Sequence, residues 1–210
     1  MIEPPPQAAP GEAADHYFSE EPSVGSAPRT VPLHLPDLSL TLEADRGVFA
    51  AGGVDAGTKI LLLDGPSVPA EGDVLDLGCG YGPIAVTLAR RAPAARVWAV
   101  DVNERARALC AANAAANGAE NVTVAAPGDV PDDVRFAAIW SNPPIRIGKA
   151  ELHALLVRWL DRLAPDGSAT LVVQKHLGAD SLARWLDEQG RPTTRLTSRQ
   201  GYRVLHVAPR

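Results

Sequence analysis

Two cysteines in 210 residues, Cys79 and Cys110, leave no material for a disulfide framework, and neither belongs to a metal-ligand spacing. No metal is expected. No apolar run approaches the length that crosses a membrane, and the start of the chain lacks the basic-then-apolar order of a signal peptide. A cytoplasmic location without membrane partners is therefore expected. An excess of positive charge is missing as well: the net charge of −5 argues against a protein that coats nucleic acid indiscriminately. Lysine is scarce, with Lys59, Lys149 and Lys175 the only three among 20 basic residues, a bias attributed to genome composition before function. His16, His34, His153, His176 and His206 show no mutual pattern, and there is no internal repeat. What the chain does have is 46% hydrophobic content, enough over this length for one substantial core and a small appendage.

Three regions follow from a pass along the chain. Residues 1–16 hold Pro4, Pro5, Pro6 and Pro10 among small polar residues and are expected to form a disordered tail. Residues 17–70 read as an N-terminal hairpin and helix extension. Within it Thr30–Leu35 and Leu38–Glu43 alternate apolar and polar around Pro36-Asp37, and Asp55–Leu63 reads as a short helix. Residues 71–210 form the main domain. Its predicted strands are Val74–Leu77, Val97–Asp101, Val122–Ala125, Ala137–Ser141, Ala169–Gln174 and Arg203–Val207. Between them lie predicted helices at Pro83–Ala92, Glu104–Asn117, Ala150–Leu163 and Asp180–Gln189. Asn103 caps the second of these and Gly118 ends it, while Leu152, Leu155, Leu156, Trp159, Leu160 and Leu163 make the apolar stripe of the third. Such alternation specifies an α/β fold, a parallel sheet with helices on both faces. Residues 191–210 carry Arg191, Arg195, Arg199, Arg203 and Arg210 without an acid. That basic end fits either a phosphate-backbone partner or an ordinary solvated surface.

Two motifs carry chemistry. In Val74-Leu75-Asp76-Leu77-Gly78-Cys79-Gly80-Tyr81-Gly82, an apolar strand breaks into three glycines at alternate positions and leads into a helix. Glycines there let the backbone turn sharply and approach a ligand closely. The spacing G-x-G-x-G differs from the dinucleotide fingerprint G-x-G-x-x-G, and Asp76 stands where it can bind an amino group. One strand later, Asp101 ends Arg96–Val100 as a carboxylate able to accept both hydroxyls of a ribose. The second motif, Asn142-Pro143-Pro144, follows the apolar run Phe136–Ser141. Each proline fixes its own φ and lacks an N–H, and Pro143 also restricts Asn142. The Asn142 side-chain oxygen and a nearby carbonyl are then poised to accept two N–H bonds from a planar amino group.

Glycine loop, ribose acid and Asn-Pro-Pro in this order resemble a class I S-adenosylmethionine-dependent methyltransferase of the amino-methylating type over residues 72–208. The resemblance implies a Rossmann-like fold with a mostly parallel seven-stranded sheet whose last strand is antiparallel. It implies that Gly78, Cys79, Gly80, Tyr81 and Gly82 wrap the methionine and ribose portion of the cofactor. It also puts Asp76 near the methionine ammonium, Asp101 with Val102 on the ribose, and Asp129 with Val130 beside the adenine. Gly128-Asp129 is equally an ordinary turn, so that last assignment stays open. Asn142, Pro143 and Pro144 become the catalytic motif, with Asn142 also at the cofactor.

The extension narrows the resemblance. Tyr17–Ser23, Asp45–Phe49 and Gly53–Lys59 are similar to entry segments of the small-domain methyltransferases, the RsmC-like enzymes that methylate guanine N2 in small-subunit ribosomal RNA. So are Asn142–Lys149, Val173-Gln174-Lys175 and Gly201–Val204, and the likeness runs over about residues 15–208, nearest to the short members without an N-terminal pseudo-repeat. The implied partner is ribosomal RNA or the small ribosomal subunit, with Ile145, Arg146, Lys149 and Lys175 as substrate contacts. Ile145 departs from the wider amino-methyltransferase pattern, which has Phe or Tyr there. An aliphatic residue forgoes base stacking worth roughly 1–3 kcal/mol or leaves it to another residue. That weakens adenine-N6 or glutamine-N5 chemistry more than guanine-N2 chemistry. Two alternatives stay open: an amino-methyltransferase acting on a protein glutamine, another base or a small molecule, and an inactive binding protein on the same fold.

Overall fold

The computed structural model describes residues 24–210; the expected tail at 1–16 and the segment Tyr17–Ser23 lie outside the described residues. An antiparallel hairpin of β1 (Arg29–His34) and β2 (Ser39–Ala44) opens it, with His34 opposite Ser39 across the turn at Pro36-Asp37. Its period-two pattern buries Val31 and Leu33 on one strand and Leu40, Leu42 and Ala44 on the other. Helix α1 (Ala56–Asp64) follows, capped by the Asp55 side chain, which accepts from Thr58 N–H.

The main domain then runs β3 (Asp73–Leu77), α2 (Pro83–Arg91), β4 (Arg96–Val100), α3 (Glu104–Ala116), β5 (Val122–Ala125), β6 (Phe136–Ser141), α4 (Lys149–Leu160), β7 (Leu163–Gln174), α5 (Ala179–Glu188), β8 (Thr193–Arg199) and β9 (Tyr202–Val207). The seven strands lie in the order β5-β4-β3-β6-β7-β9-β8. β3 to β7 are parallel, while β9 is antiparallel to both of its neighbours. From β3 the chain builds one way through β4 and β5, then returns to add β6 on the other side. A crevice opens at the carboxyl ends of β3 and β6, where such reversals place ligands.

Successive strand residues alternate between two hydrophobic clusters, one per sheet face. Val74, Val97, Ala138 and Trp140 pack under α2, α3, α1 and the hairpin; Leu75, Trp98, Ile139 and Leu171 pack under α4 and α5 with Leu156, Trp159 and Leu186. The hairpin and α1 thus share one core with the first half of the sheet.

Two elements differ from the sequence pattern. β8 is missing from that pattern because Thr193–Arg199 has no apolar alternation: it is an edge strand, mostly exposed, and its one large apolar residue, Leu196, is 44% exposed. β7 begins at Leu163, ahead of the predicted Ala169. Leu163 continues the apolar spacing of α4 and so reads as helix, yet it pairs with Phe136 before the register shifts. Gly167 permits that approach, since a Cβ there would lie 2.6 Å from the Phe136 carbonyl oxygen.

The free edge of β2 is closed by two asparagines one turn apart, Asn113 on α3 and Asn117 at its C-cap. Asn113 accepts from Glu43 N–H (2.7 Å) and donates to the carbonyls of Glu43 (2.8 Å) and Tyr81 (2.7 Å). Asn117 accepts from Thr41 N–H (3.2 Å) and donates back to the Thr41 carbonyl (2.9 Å). Their side-chain amides replace a missing strand. Asn113 is buried, so Asn113→Ala strands backbone groups of β2 and of the glycine loop. Denaturant unfolding should show a loss of about 3 kcal/mol for Asn113→Ala, against less than about 1 kcal/mol for the more exposed Asn117→Ala. Equal losses would contradict this account of the edge.

Candidate active site

Gly78 and Cys79 both donate their N–H to the Val100 carbonyl (2.8 and 3.0 Å), folding the loop after β3 over the end of β4. Gly78 and Gly80 take φ of +77° and +55°, and a Cβ on either would meet nothing within 4 Å. The backbone there is open for a ligand to approach. Gly82 serves packing instead: a Cβ would lie 2.7 Å from the Cys110 sulfur, so its absence lets α2 start against α3. Asp101 braces the loop, accepting from Gly80 N–H (2.9 Å) and from Asn103 N–H (2.9 Å). Burial raises its carboxyl above the usual range, against those hydrogen bonds.

Asn142 leaves the end of β6 under a second set of constraints. Its Nδ2 donates to Asp55 Oδ2 (2.9 Å) and to Thr58 Oγ1 (3.1 Å). An ionised carboxylate only accepts, so Nδ2 must face α1, and Oδ1 is left without a hydrogen bond among the described residues. The Pro143 carbonyl, expected to stand unpaired, already accepts from Ile145 N–H (2.8 Å) and keeps only its second lone pair. The following 3-10 turn, Ile145–Ile147, leads into α4.

These pieces enclose a cavity of about 360 Å³. Gly78, Gly80, Asp101, Val102, Asn142, Pro143, Pro144, Ile145 and Arg146 all stand in its wall. The rest of the wall includes Val48, Phe49 and Asp55 of the extension, and Val172, Val173, Gln174 and Tyr202 of the last strands. Gln174 Nε2 donates to Tyr202 Oη at 2.6 Å. The aromatic surface missing at residue 145 is present elsewhere in the wall, at Phe49, Trp159 and Tyr202.

The remaining candidates lie outside that wall. Asp129 is exposed, because the turn closed by its N–H on the Ala126 carbonyl (3.0 Å) points it outward and turns Pro127 to the cavity. Val130 is buried in the core beneath α4. Lys149 lines a smaller cavity with His153 and Leu177, and Lys175 is exposed just past Gln174. Cys79 and Tyr81 are buried behind the loop; the Cys110 thiol and burial push the Cys79 thiol up, and burial with nearby Asp55 raises the Tyr81 phenol. Asp76 is fully buried below the loop: Oδ2 accepts from Ala85 N–H (2.9 Å) and Oδ1 has no partner. Burial, with Asp101 adding to it, pushes its carboxyl up to about 8. Among the described residues no group of three His, Cys, Asp or Glu could hold a metal ion, and no helix is long and apolar enough to cross a membrane.

The residues that the motifs did not single out are Asp55 and Thr58, together with Phe49, Gln174 and Tyr202. All five belong to segments the family resemblance had picked out. The contact of Asp55 and Thr58 with Asn142 was not visible, because Asp55 lies 87 residues away from it.

The sheet order, the glycine loop after β3 and the acid after β4 define a Rossmann-like methyltransferase. More particularly, the chain belongs to the methyltransferase small domain family, whose model matches residues 39–206. S-adenosylmethionine is the methyl donor of that family. A Bacillus subtilis (strain 168) protein described as uncharacterized protein YbxB is 36% identical over 91% of this chain and 97% of its own length. Ribosomal RNA small subunit methyltransferase C of Pseudomonas aeruginosa (strain LESB58) is 33% identical over 88% of this chain. The chain spans about half of that relative, 55% of its length. The T. thermophilus 16S rRNA N2 methyltransferase RsmC, solved with AdoMet and guanosine, superposes with a TM-score of 0.73 at 27% identity, over 90% of this chain and 52% of its own.

The buried carboxyl makes a stability prediction. With a folded pKa of about 8 against 3.8 unfolded, the folded state binds the extra proton, so Asp76 favours folding at low pH. That contribution is lost as pH rises through about 8. Without added cofactor, the melting temperature should fall between pH 6 and about 9 in the wild type, and less in Asp76→Asn. Parallel profiles would show that Asp76 is ionised in the folded protein.

Proposed function

We propose that this protein transfers a methyl group from S-adenosylmethionine to the exocyclic N2 of a guanine in small-subunit ribosomal RNA. The residues fit that cofactor. Gly78 and Gly80 leave open backbone, Asp101 stands in the wall, and Asp76 Oδ1 is a buried oxygen without a partner below the same loop. S-adenosylmethionine supplies an electrophilic methyl group on a sulfonium when bound. Asp101 would hold the ribose hydroxyls, with Val102 beside it. Asp76 would face the ammonium, which favours its charged form.

The observation that carries the acceptor is Asn142. Its Oδ1 is left without a partner in the cavity while Nδ2 is held by Asp55 and Thr58. An amino nitrogen conjugated with a purine ring is a poor nucleophile. Accepting its hydrogens at Asn142 Oδ1 and at the remaining lone pair of the Pro143 carbonyl favours a pyramidal nitrogen with its lone pair aimed along the transfer direction. The same oxygens stabilise positive charge as it builds on that nitrogen. No strong base is needed, because the methylated ammonium is very acidic. Ile145 borders the base, and exposed Arg146, Lys149 and Lys175 are proposed to meet RNA phosphates. The relatives' names support ribosomal RNA or the small ribosomal subunit as partner, and hence a cytoplasmic site of action.

Asn142→Ala should lower kcat on small ribosomal subunits by about 100-fold or more. Calorimetry should find its S-adenosylmethionine Kd within about twofold of wild type. A strain lacking the gene should lack one N2-methylguanosine, restored by the wild type but not by Asn142→Ala. An unchanged nucleoside profile would overturn the guanine reading, and parallel loss of cofactor binding would overturn the role of Asn142.

A further inference from the structure

An asparagine amide is nearly symmetric in shape and can present either its oxygen or its NH2 group to a cavity. Only the oxygen suits a substrate that brings N–H donors. We propose that Asp55 is the positioning residue that fixes this choice, and that it makes asparagine, not aspartate, obligatory at position 142. The proposal rests on the reading of Asn142 as the acceptor of the substrate amino group.

Two oxygens face the amide from α1. Asp55 Oδ2 at 2.9 Å accepts only, and Thr58 Oγ1 at 3.1 Å takes the second hydrogen. Turning the amide by half a turn would set Oδ1 against a carboxylate oxygen, with no hydrogen between them. The protein therefore uses both Nδ2 hydrogens internally and leaves Oδ1 for the substrate.

Asp55 is itself held. As the cap of α1 it also accepts from Thr58 N–H (3.1 Å), and the helix N-terminus favours its negative charge. The first turn of α1 is pressed against β9: a Cβ at Gly57 would lie 2.6 Å from Tyr202 Cε1 and 2.8 Å from Asp55 Oδ2. Tyr202 is tied in turn to Gln174. The extension therefore fixes a group in the catalytic motif.

The charge of Asp55 has a further consequence. An aspartate at position 142 would have the shape of asparagine but would put two carboxylate oxygens at hydrogen-bond distance. Such a pair must share a proton or move apart. Exchanging the two side chains removes the conflict. An asparagine at position 55 can donate from its amide nitrogen to a carboxylate at position 142, at the expense of the cap, because in the native protein the one oxygen Oδ2 accepts from both Asn142 and Thr58 N–H. The Thr58 hydroxyl can then donate to that new carboxylate instead of accepting.

The test uses the full-length protein with small ribosomal subunits from a strain lacking the gene, and cofactor Kd measured alongside. N142D should lower kcat by about 100-fold, and D55A by about tenfold, with cofactor Kd close to wild type in both. The exchanged variant D55N/N142D should turn over at least about tenfold faster than N142D. A residue that merely supports the fold would not give that rescue. An exchanged variant no faster than N142D, or a folded D55A with wild-type kcat, would overturn the proposal. If D55A fails to fold, the exchange still decides. Full activity in Asn142→Ala would instead overturn the underlying reading of Asn142, so the two failures are distinguishable.

Discussion

The hydrogen bond from the Asn142 amide nitrogen to the Asp55 carboxylate, with its companion to the Thr58 hydroxyl, joins the extension to the end of β6 at the point where the cavity is lined. Its strength is local, but its position organises much around it. Asp55 can reach Asn142 only because α1 packs into the same core as α2 and the first strands. That packing depends on the hairpin, whose outer edge is held by Asn113 of α3 and by Asn117 at its C-cap. Asn113 also holds the Tyr81 carbonyl, so one buried side chain connects the hairpin with the glycine loop. The cavity is thus assembled from segments far apart in the chain.

Polar groups divide into those satisfied internally and those left over. Gly80 N–H and Asn103 N–H are used by Asp101, and the Asn142 NH2 group by Asp55 and Thr58. What remains at the cavity and below the loop includes Asn142 Oδ1, one lone pair of the Pro143 carbonyl and Asp76 Oδ1, besides the Tyr81 hydroxyl and the Trp159 indole N–H. The first two are acceptors, and Asp76 becomes one when a neighbouring cation charges it. In a core where unpaired polar atoms are destabilising, such acceptors are best explained by a ligand that brings N–H donors and positive charge. A sulfonium cofactor with an ammonium group and a purine amino group meet that description.

The fold and family were legible in the sequence because each signal was local. An apolar strand, three alternating glycines, an acid one strand later and Asn-Pro-Pro sit within short windows, and their order matches the family found. The hairpin was readable from its period-two pattern around Pro36-Asp37. β8 was not, because an exposed edge strand has no burial to impose alternation on Thr193–Arg199. The early start of β7 was hidden by Leu163, whose spacing suits α4 equally well. Gly78, Gly80 and Asp101, expected at a site from the sequence, line the cavity, whereas the partners of Asn142 had no sequence signal. Side-chain contact over 87 residues depends on how α1 docks, which no local pattern encodes. Asp129, given to the adenine by resemblance alone, is exposed on a turn outside the cavity wall.

The most direct measurement is a crystal structure of the protein with S-adenosylhomocysteine and guanosine. The account predicts guanosine N2 within about 3 Å of Asn142 Oδ1, with Nδ2 still on Asp55. It also predicts the ribose of the cofactor on Asp101. A guanosine seated elsewhere in the cavity, or an Asn142 amide turned to offer its nitrogen to the base, would contradict it.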